Sequence, residues 1–237
     1  SNKILNKEKT NIITGDLSNP TAIEQTIMNT EAVIYNVGII REFKSSGISF
    51  ENLHYQSLKK VVDIAKKLDV KRFILMSANG VKSNGTQYQK TKWKSEELLK
   101  KSNLKWTIFR PSLIFGDPRG NDRPEFCTQL KKDMLSLPLP APLFYEGILP
   151  KNAGKFFMTP IHVENVADFF VKSLSNKNSE SMTFNLGGPE TLSWKMIIKN
   201  IAIASKKPTW TLPVPAKIIK IIASVFEKYK FFPVTKD

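Results

Sequence analysis

The sequence predicts an α/β fold built on a parallel sheet, and three observations favour that class. Short apolar runs that end in turn residues alternate with amphipathic stretches of helical spacing, as in strands joined by helical crossovers. The 237 residues have an ordinary globular composition, 41% apolar and 24% charged. No apolar run reaches the roughly 18–20 residues of a membrane span. This composition excludes a disordered tail, a collagen-like fibre and a disulfide scaffold.

The elements follow from local signals along the chain. Residues 11–16 form an apolar run that ends in turn residues, which predicts a strand. Asn19 and Pro20 then begin a helix in which Ile23 and Ile27 lie one turn apart. The remaining predicted elements are strands over 32–37, 71–77, 106–110 and 182–186, and helices over 51–68, 88–101, 163–174, about 191–205 and 213–229. Prolines punctuate 111–160, which predicts long loops with short helices.

The charge is strongly positive and unevenly distributed. The formal net charge is +15, and residues 41–110 contribute 16 basic against 6 acidic groups. Residues 181–237 contribute another 9 against 3. We expect no nucleic-acid partner, because no helix-turn-helix, zinc or RNA-binding pattern is present and lysines far outnumber arginines. The basic faces indicate a protein or membrane surface instead.

A tyrosine and a lysine share one face of the predicted helix over 88–101. Tyr88 and Lys92 are four residues apart, and a neighbouring ammonium would lower the tyrosine pKa toward general acid–base use. Ser77 ends the preceding strand, at the edge of a parallel sheet where ligands bind. The alternative to a catalytic pair is a chance Tyr-x-x-x-Lys pattern on a solvated, lysine-rich helix.

Six motifs in order carry a family resemblance. They are Gly15-Asp-Leu, Ser77-Ala-Asn-Gly, Tyr88-x-x-x-Lys92, Arg110-Pro-Ser-Leu-Ile-Phe-Gly116, His162-Val-Glu-Asn-Val-Ala167 and Asn185-Leu-Gly-Gly-Pro189. The set resembles the extended and atypical short-chain dehydrogenases/reductases, and more narrowly the subgroup related to the 39 kDa accessory subunit of respiratory complex I. Residues 232–237 resemble the C-terminal motif of that subgroup.

The resemblance implies a Rossmann-type, doubly wound parallel sheet. Residues 1–115 would form an NAD(P)-binding domain, and residues 116–237 mainly a small C-terminal α/β substrate or interaction region, with some segments returning to the sheet. The glycine-rich turn that opens this family is missing, since the first glycine is Gly15. We therefore expect that the family's first βαβ unit precedes this sequence, and that the intact mass exceeds 26.9 kDa.

The resemblance also implies a cofactor, NAD or NADP, and the residues that hold it. They are Asp16, Leu17, Val37, Gly38, Tyr88, Lys92, Pro111, Ser112, Leu113 and Ile114. The first two would border the adenine, the next two the adenine ribose and pyrophosphate, and the last four the nicotinamide. Tyr88 and Lys92 would hold the nicotinamide ribose.

Two functions stay open at this point. In the first, an oxidoreductase, epimerase or dehydratase acts on an unknown small molecule, with Ser77, Tyr88 and Lys92 as the catalytic set. In the second, a non-catalytic nucleotide-binding protein serves as an accessory or assembly subunit of a membrane respiratory complex. The predicted C-terminal helix is amphipathic, which fits either a core-facing helix or one that lies on anionic lipid.

The numbers and positions of cysteine and histidine residues indicate a cellular compartment and argue against a metal site. A single cysteine, Cys127, favours a reducing compartment, cytoplasmic or matrix-like, with a peripheral membrane position as an option. We predict no metal site, because His54 and His162 have no cysteine or paired carboxylates near them in the sequence.

Overall fold

The computed structural model describes residues 8–43, 46–118, 125–135 and 140–218. These residues form two compact units. The first unit contains the described residues up to Pro111 together with Ala167–Leu186, and the second contains Ser112–Val166 and the described residues from Gly187 onward. The unit boundaries therefore fall at the ends of two strands and inside one helix.

The helices and strands are numbered in chain order. They are α1 (Pro20–Ile27), β1 (Ala32–Tyr35), α2 (Ser57–Lys67), β2 (Arg72–Met76), α3 (Gln87–Lys100), β3 (Trp106–Pro111), β4 (Ile114–Phe115), α4 (Phe126–Leu130), β5 (Ala141–Tyr145), β6 (Phe157–Met158), β7 (Ile161–His162), α5 (Val163–Ser175), β8 (Met182–Leu186), β9 (Leu192–Ser193), α6 (Trp194–Ala204) and β10 (Thr211–Pro215). Short π-helical turns occupy Glu51–Gln56 and Lys131–Leu135, and 3-10 turns occupy Pro150–Asn152 and Lys177–Ser179.

The first unit is a four-stranded parallel sheet with the order β1-β2-β3-β8. One face packs on α1, α2 and α3 in a core that includes Leu58, Phe73 and Ile108, all inaccessible to solvent. On the other face, Phe109 contacts Phe170 of α5 with ring centroids 4.8 Å apart. Helices on both faces of a parallel sheet confirm the predicted doubly wound, Rossmann-type fold.

Local signals explain where the helices of the first unit begin. The Asn19 side chain accepts a hydrogen bond from the Thr21 amide, and Pro20 follows as the first helical residue. Thr86 and Gln89 form a reciprocal capping box at the start of α3. This cap fixes the position of the helix that carries Tyr88 and Lys92.

The second unit is an α/β assembly with its own core. Trp194 and Ile198 of α6 pack against β5, which pairs in parallel with β10. The Trp194 indole donates to the Pro142 carbonyl at 2.9 Å. Gly188 allows a close approach, because a Cβ there would lie 1.9 Å from the Pro160 carbonyl oxygen. None of the helices in the described ranges has the length and apolarity that crossing a bilayer requires.

Several predicted boundaries were wrong. Residues 11–16 form no strand in the described chain, because no neighbouring strand pairs with them and Ile12 is half exposed. The predicted helix over 51–68 begins as a π-helical turn, and the strand over 32–37 ends at Tyr35. Residues 211–215 form strand β10 instead of opening a helix. Residues 216–218 are helical as predicted, and the remainder of that amphipathic helix, residues 219–229, lies outside the described residues together with residues 232–237.

Candidate functional site

Lys92 reaches the carboxyl edge of the sheet from α3. Its Nζ donates to the Met76 carbonyl, the last of β2, at 3.1 Å, and the side chain is 6% exposed. Tyr88 lies one turn earlier on the same helix face and is half-buried. The described residues give the Tyr88 hydroxyl no hydrogen-bond partner, so it is free to bond a ligand.

Gly38 lies against the Lys92 ammonium. A Cβ at this position would be 3.1 Å from Lys92 Nζ and 3.6 Å from His54 Nε2. A side chain there would crowd both groups, so the glycine leaves the main chain open beside the ammonium. Gly38 and Lys92, both predicted cofactor residues but for different parts of the dinucleotide, are therefore adjacent in the structure.

His54 is a site residue that sequence reasoning missed. Its ring is buried and meets the Tyr88 ring edge-on, with centroids 5.3 Å apart. Thr91 Oγ1 lies 3.1 Å from His54 Nδ1, and the Ile39 amide nitrogen lies 3.1 Å from His54 Nε2. Nε2 also lies 3.1 Å from the Ile39 carbonyl oxygen, so these partners satisfy either tautomer of a neutral imidazole. His54 thus ties the segment after β1 to the helix that carries Tyr88 and Lys92.

Ser77 is held inside the protein. Its Oγ donates to Glu96 Oε1 at 2.5 Å, and the two side chains are 4% and 0% exposed. Arg110 donates to the same carboxylate through Nε at 2.8 Å and Nη2 at 2.5 Å. A serine hydroxyl has one proton, so in this arrangement Ser77 can accept from a ligand but cannot donate to one.

Glu96 was the second residue missed. Its spacing pairs it with Lys100 one turn later, and that ion pair is present at 3.9 Å, but the Glu96 carboxylate is buried rather than on a solvated face. Its spacing was the available signal, since Tyr88, Lys92 and Glu96 recur every four residues along one face of α3.

The expected lowering of the Tyr88 pKa is wrong. Burial raises the pKa of Tyr88, because the phenolate would lose more hydration than the neutral hydroxyl. Burial also lowers the pKa of Lys92 to about 8, with the charge of Glu96 acting in the opposite direction. The pKa of His54 falls to about 3 because of burial and then the nearby Lys92 charge. Tyr88 therefore stays protonated at neutral pH in this environment.

Three of the four residues predicted for the adenosine end, all but Gly38, line one groove of the first unit. Its volume is about 270 Å³, and Asp16, Leu17 and Val37 are among the lining residues, most of which are apolar. The Asp16 carboxylate accepts from the Ser18 amide at 2.7 Å, and hydrogen bonding to the Ser18 side chain and then to this amide lowers the Asp16 pKa. An apolar groove beside an ionised carboxylate suits a flat base and a ribose hydroxyl.

The four residues predicted for the nicotinamide end fall in both units. Pro111 ends β3 in the first unit, and its carbonyl accepts from the Asn79 amide at 3.0 Å. Ser112, Leu113 and Ile114 follow in the second unit, where Leu113 accepts from the Ile161 amide and Ile114 pairs with Ile161. They stay predicted cofactor residues.

The donor set fits the ends of a dinucleotide. Lys92 offers further N–H donors, and Tyr88 offers a hydroxyl at the sheet edge where ribose hydroxyls would need both donors and acceptors. The printed sequence has no glycine-rich turn for the pyrophosphate. The candidate residues therefore fit the adenine and the two riboses of a dinucleotide, and not its pyrophosphate.

Comparisons with known proteins agree with the predicted fold and cofactor class. A family profile described as NAD(P)H-binding matches residues 1–132. The mitochondrial 40 kDa subunit of NADH-ubiquinone oxidoreductase from Neurospora crassa is 28% identical over 220 residues, which is 92% of this chain and 54% of that protein. The chain thus spans about half the length of that relative.

Two epimerases are also similar. The UDP-glucose 4-epimerase of Vibrio cholerae is 23% identical over 238 residues, 90% of this chain and 69% of that protein. The structure of the Thermus thermophilus UDP-glucose 4-epimerase in complex with NAD matches with a TM-score of 0.65 and 17% identity, covering 89% of this chain and 75% of that one. At that identity the structural match supports the fold.

Proposed function

The profile match covers more than half of the sequence, so the chain belongs to the NAD(P)H-binding family, and we propose that it holds NAD(H) or NADP(H) as a bound component without turning it over. Tyr88 and Lys92 would hold the nicotinamide ribose, and Asp16, Leu17 and Val37 the adenine end. When bound, such a dinucleotide can give or accept a hydride. Ser77 cannot donate the proton that accompanies this hydride, because its hydroxyl already donates to Glu96.

The hydrogen bond from Ser77 to Glu96 is the observation that carries this proposal. A reductase or epimerase needs a group that donates to the substrate oxygen as the hydride moves. The Ser77 proton goes to a buried carboxylate that Arg110 also holds in place. The raised pKa of Tyr88 keeps its hydroxyl protonated, so Tyr88 could donate a proton in a reduction but could not act as the base that an oxidation needs at neutral pH. Nucleotide binding needs neither of these groups in an activated state.

The role we infer is that of an accessory or assembly subunit of a membrane respiratory complex. The support is the similarity to the Neurospora crassa subunit and the lysine-rich outer face of α2, where Lys59, Lys66 and Lys67 are exposed. Lys59 pairs with Asp63 at 2.9 Å and Lys67 with Glu24 at 3.0 Å, so an acidic partner that docks here would compete with these carboxylates. A reducing, matrix-like compartment and a peripheral position on the membrane go with this role.

Nucleotide binding can be tested with the protein purified at its full length. Titration with NADH, followed by its fluorescence, should give an affinity that Lys92→Met weakens by about tenfold or more, since the bonds lost are charge-assisted. Lys90→Met is the matched control, because Lys90 is exposed on the same helix. Equal affinity in the two variants would contradict the assigned site. Association is tested by whether the protein comigrates with complex I subunits on native gels.

An enzyme remains the second candidate, and one observation favours it. The Tyr88 hydroxyl has no partner among the described residues and lies one turn from Lys92, the arrangement that a proton-transferring tyrosine needs. The reaction would be an oxidoreduction, epimerisation or dehydration of a small molecule. Turnover of a substrate by the full-length protein, abolished by Tyr88→Phe with NADH affinity retained, would establish it. Bound NADH that stays unreacted with nucleotide sugars supports the first proposal.

A further inference from the structure

The second unit contains a basic groove that no part of the proposed function uses. Its volume is about 400 Å³, and it lies between α6 and the segment that follows it, up to Thr211. The charged residues that line it are Lys195, Lys199, Lys206 and Lys207, and no carboxylate lines it. Among the described residues, the groove therefore presents only positive charge along an open cleft.

The chain brings these lysines together by two devices. Lys195 and Lys199 are four residues apart on one face of α6. After the helix ends, Lys206 takes a left-handed backbone conformation with φ of 52°, and the Lys207 amide donates to the Ala202 carbonyl at 3.1 Å. The chain therefore turns back along the helix. Ile198 and Ala202, both buried, form the apolar floor.

Lysines near a helix C-terminus do not by themselves indicate a ligand, because the macrodipole attracts them there. Thr209 supplies a second, independent observation. It lines the same groove, and its Oγ1 is shielded from solvent with no hydrogen-bond partner among the described residues. An unmatched buried hydroxyl is unfavourable in the free protein, and an acceptor entering the groove would relieve it.

We propose that this groove binds a phosphate-bearing anion. The lysine ammonium groups would contact the phosphate oxygens, their flexible stems would move apart to admit it, and the Thr209 hydroxyl would donate to it. The apolar floor suits the carbon skeleton next to the phosphate. A soluble phosphorylated compound and a phospholipid headgroup share this chemistry. The site is independent of the dinucleotide, because none of its residues is a candidate cofactor residue.

Two probes distinguish the sources in the full-length protein. Pyrophosphate is titrated by calorimetry, and binding to phosphatidylcholine vesicles is measured with and without phosphatidylglycerol. The double variant Lys199→Gln/Lys206→Gln should weaken whichever probe binds by about tenfold or more, since two charge-assisted contacts are lost. Binding of pyrophosphate alone identifies a soluble ligand, and binding of anionic vesicles identifies a lipid headgroup.

Two further variants keep the test specific. Lys101→Gln/Lys177→Gln removes the same charge from exposed positions of the first unit and should bind like the wild type. Thr209→Val should weaken binding about threefold or more without lowering the melting temperature, because the lost hydroxyl has no partner in the free protein. The proposal is overturned if neither probe binds, or if the first-unit variant loses as much binding as the groove variant.

Discussion

Replacing Ser77 by Ala removes one hydrogen bond from a carboxylate that has no contact with solvent. Ser77 Oγ lies 2.5 Å from Glu96 Oε1, and Glu96 is 0% exposed. A hydrogen bond to a charged group contributes about 1.5–3 kcal/mol. Arg110 still donates twice to the carboxylate in the variant, so we expect the free energy of unfolding to fall by about 2 kcal/mol, within the lower half of that range.

Urea denaturation measures this loss. The midpoint should fall while the slope stays constant, and the melting temperature should drop by roughly 4–8 °C for a protein of this size. Ser95→Ala is the matched control, because Ser95 is equally buried but donates to the neutral carbonyls of His54 and Thr91. It should cost about 1 kcal/mol. The affinity of the full-length Ser77→Ala protein for NADH should not change.

One result would refute this reasoning about Ser77. If Ser77→Ala leaves the urea midpoint at the wild-type value and instead weakens NADH binding or abolishes turnover, the hydroxyl faces a ligand. The non-catalytic proposal would then lose its main support.

Three further predictions concern pH and burial. The pKa of His54 in the folded protein is about 3, below its ordinary value of 6.5, so the unfolded state binds a proton more readily than the folded state. The free energy of unfolding should therefore fall as the pH drops from 6.5 toward 3. His54→Gln should remove this decrease, which is on the order of 4 kcal/mol at pH 3, from the stability curve measured by urea denaturation. The Lys92 pKa of about 8 predicts that NADH affinity falls as the pH rises above 8, and a flat fluorescence titration up to pH 10 would argue against an ammonium contact. Buried Arg72 donates to the Ser173 and Lys105 carbonyls and to the Ser179 and Thr107 hydroxyls. Arg72→Lys should lower the free energy of unfolding in urea by about 3 kcal/mol, since two or more of these acceptors lose their donor. An unchanged urea midpoint would show that lysine satisfies them.

The sequence predicted most of the first unit because its signals are local. The cap at Asn19, the apolar runs of β2 and β3 and the periodicity of α3 each lie within a few residues. Residues 11–16 have the same composition as a strand, but a strand forms only where a partner strand offers hydrogen bonds. The prediction for residues 211–215 was wrong because these residues do have a partner strand. That partner, β5, is distant in the chain, and no local sequence pattern indicates the pairing.

The sequence predicted which candidate side chains lie together better than it predicted their pKa values and hydrogen-bond partners. Tyr88 and Lys92 share a face because their spacing is helical, and that needs no tertiary information. The pKa of Tyr88 depends on burial against Phe50 and His54, which come from another part of the chain. The partners of Ser77 likewise come from α3 and β3, so the sequence could place the hydroxyl at the sheet edge without showing where its proton goes.

The most direct test of the central claim is the nucleotide content of the full-length protein after purification. Mass spectrometry of the released small molecules should find NAD(H) or NADP(H) in the wild type and in Ser77→Ala, and much less in Lys92→Met. Incubation with candidate substrates should leave the redox state of the bound nucleotide unchanged. A wild-type protein without nucleotide, full retention in Lys92→Met, or a redox change that Ser77→Ala abolishes would contradict a dinucleotide held at this site without turnover.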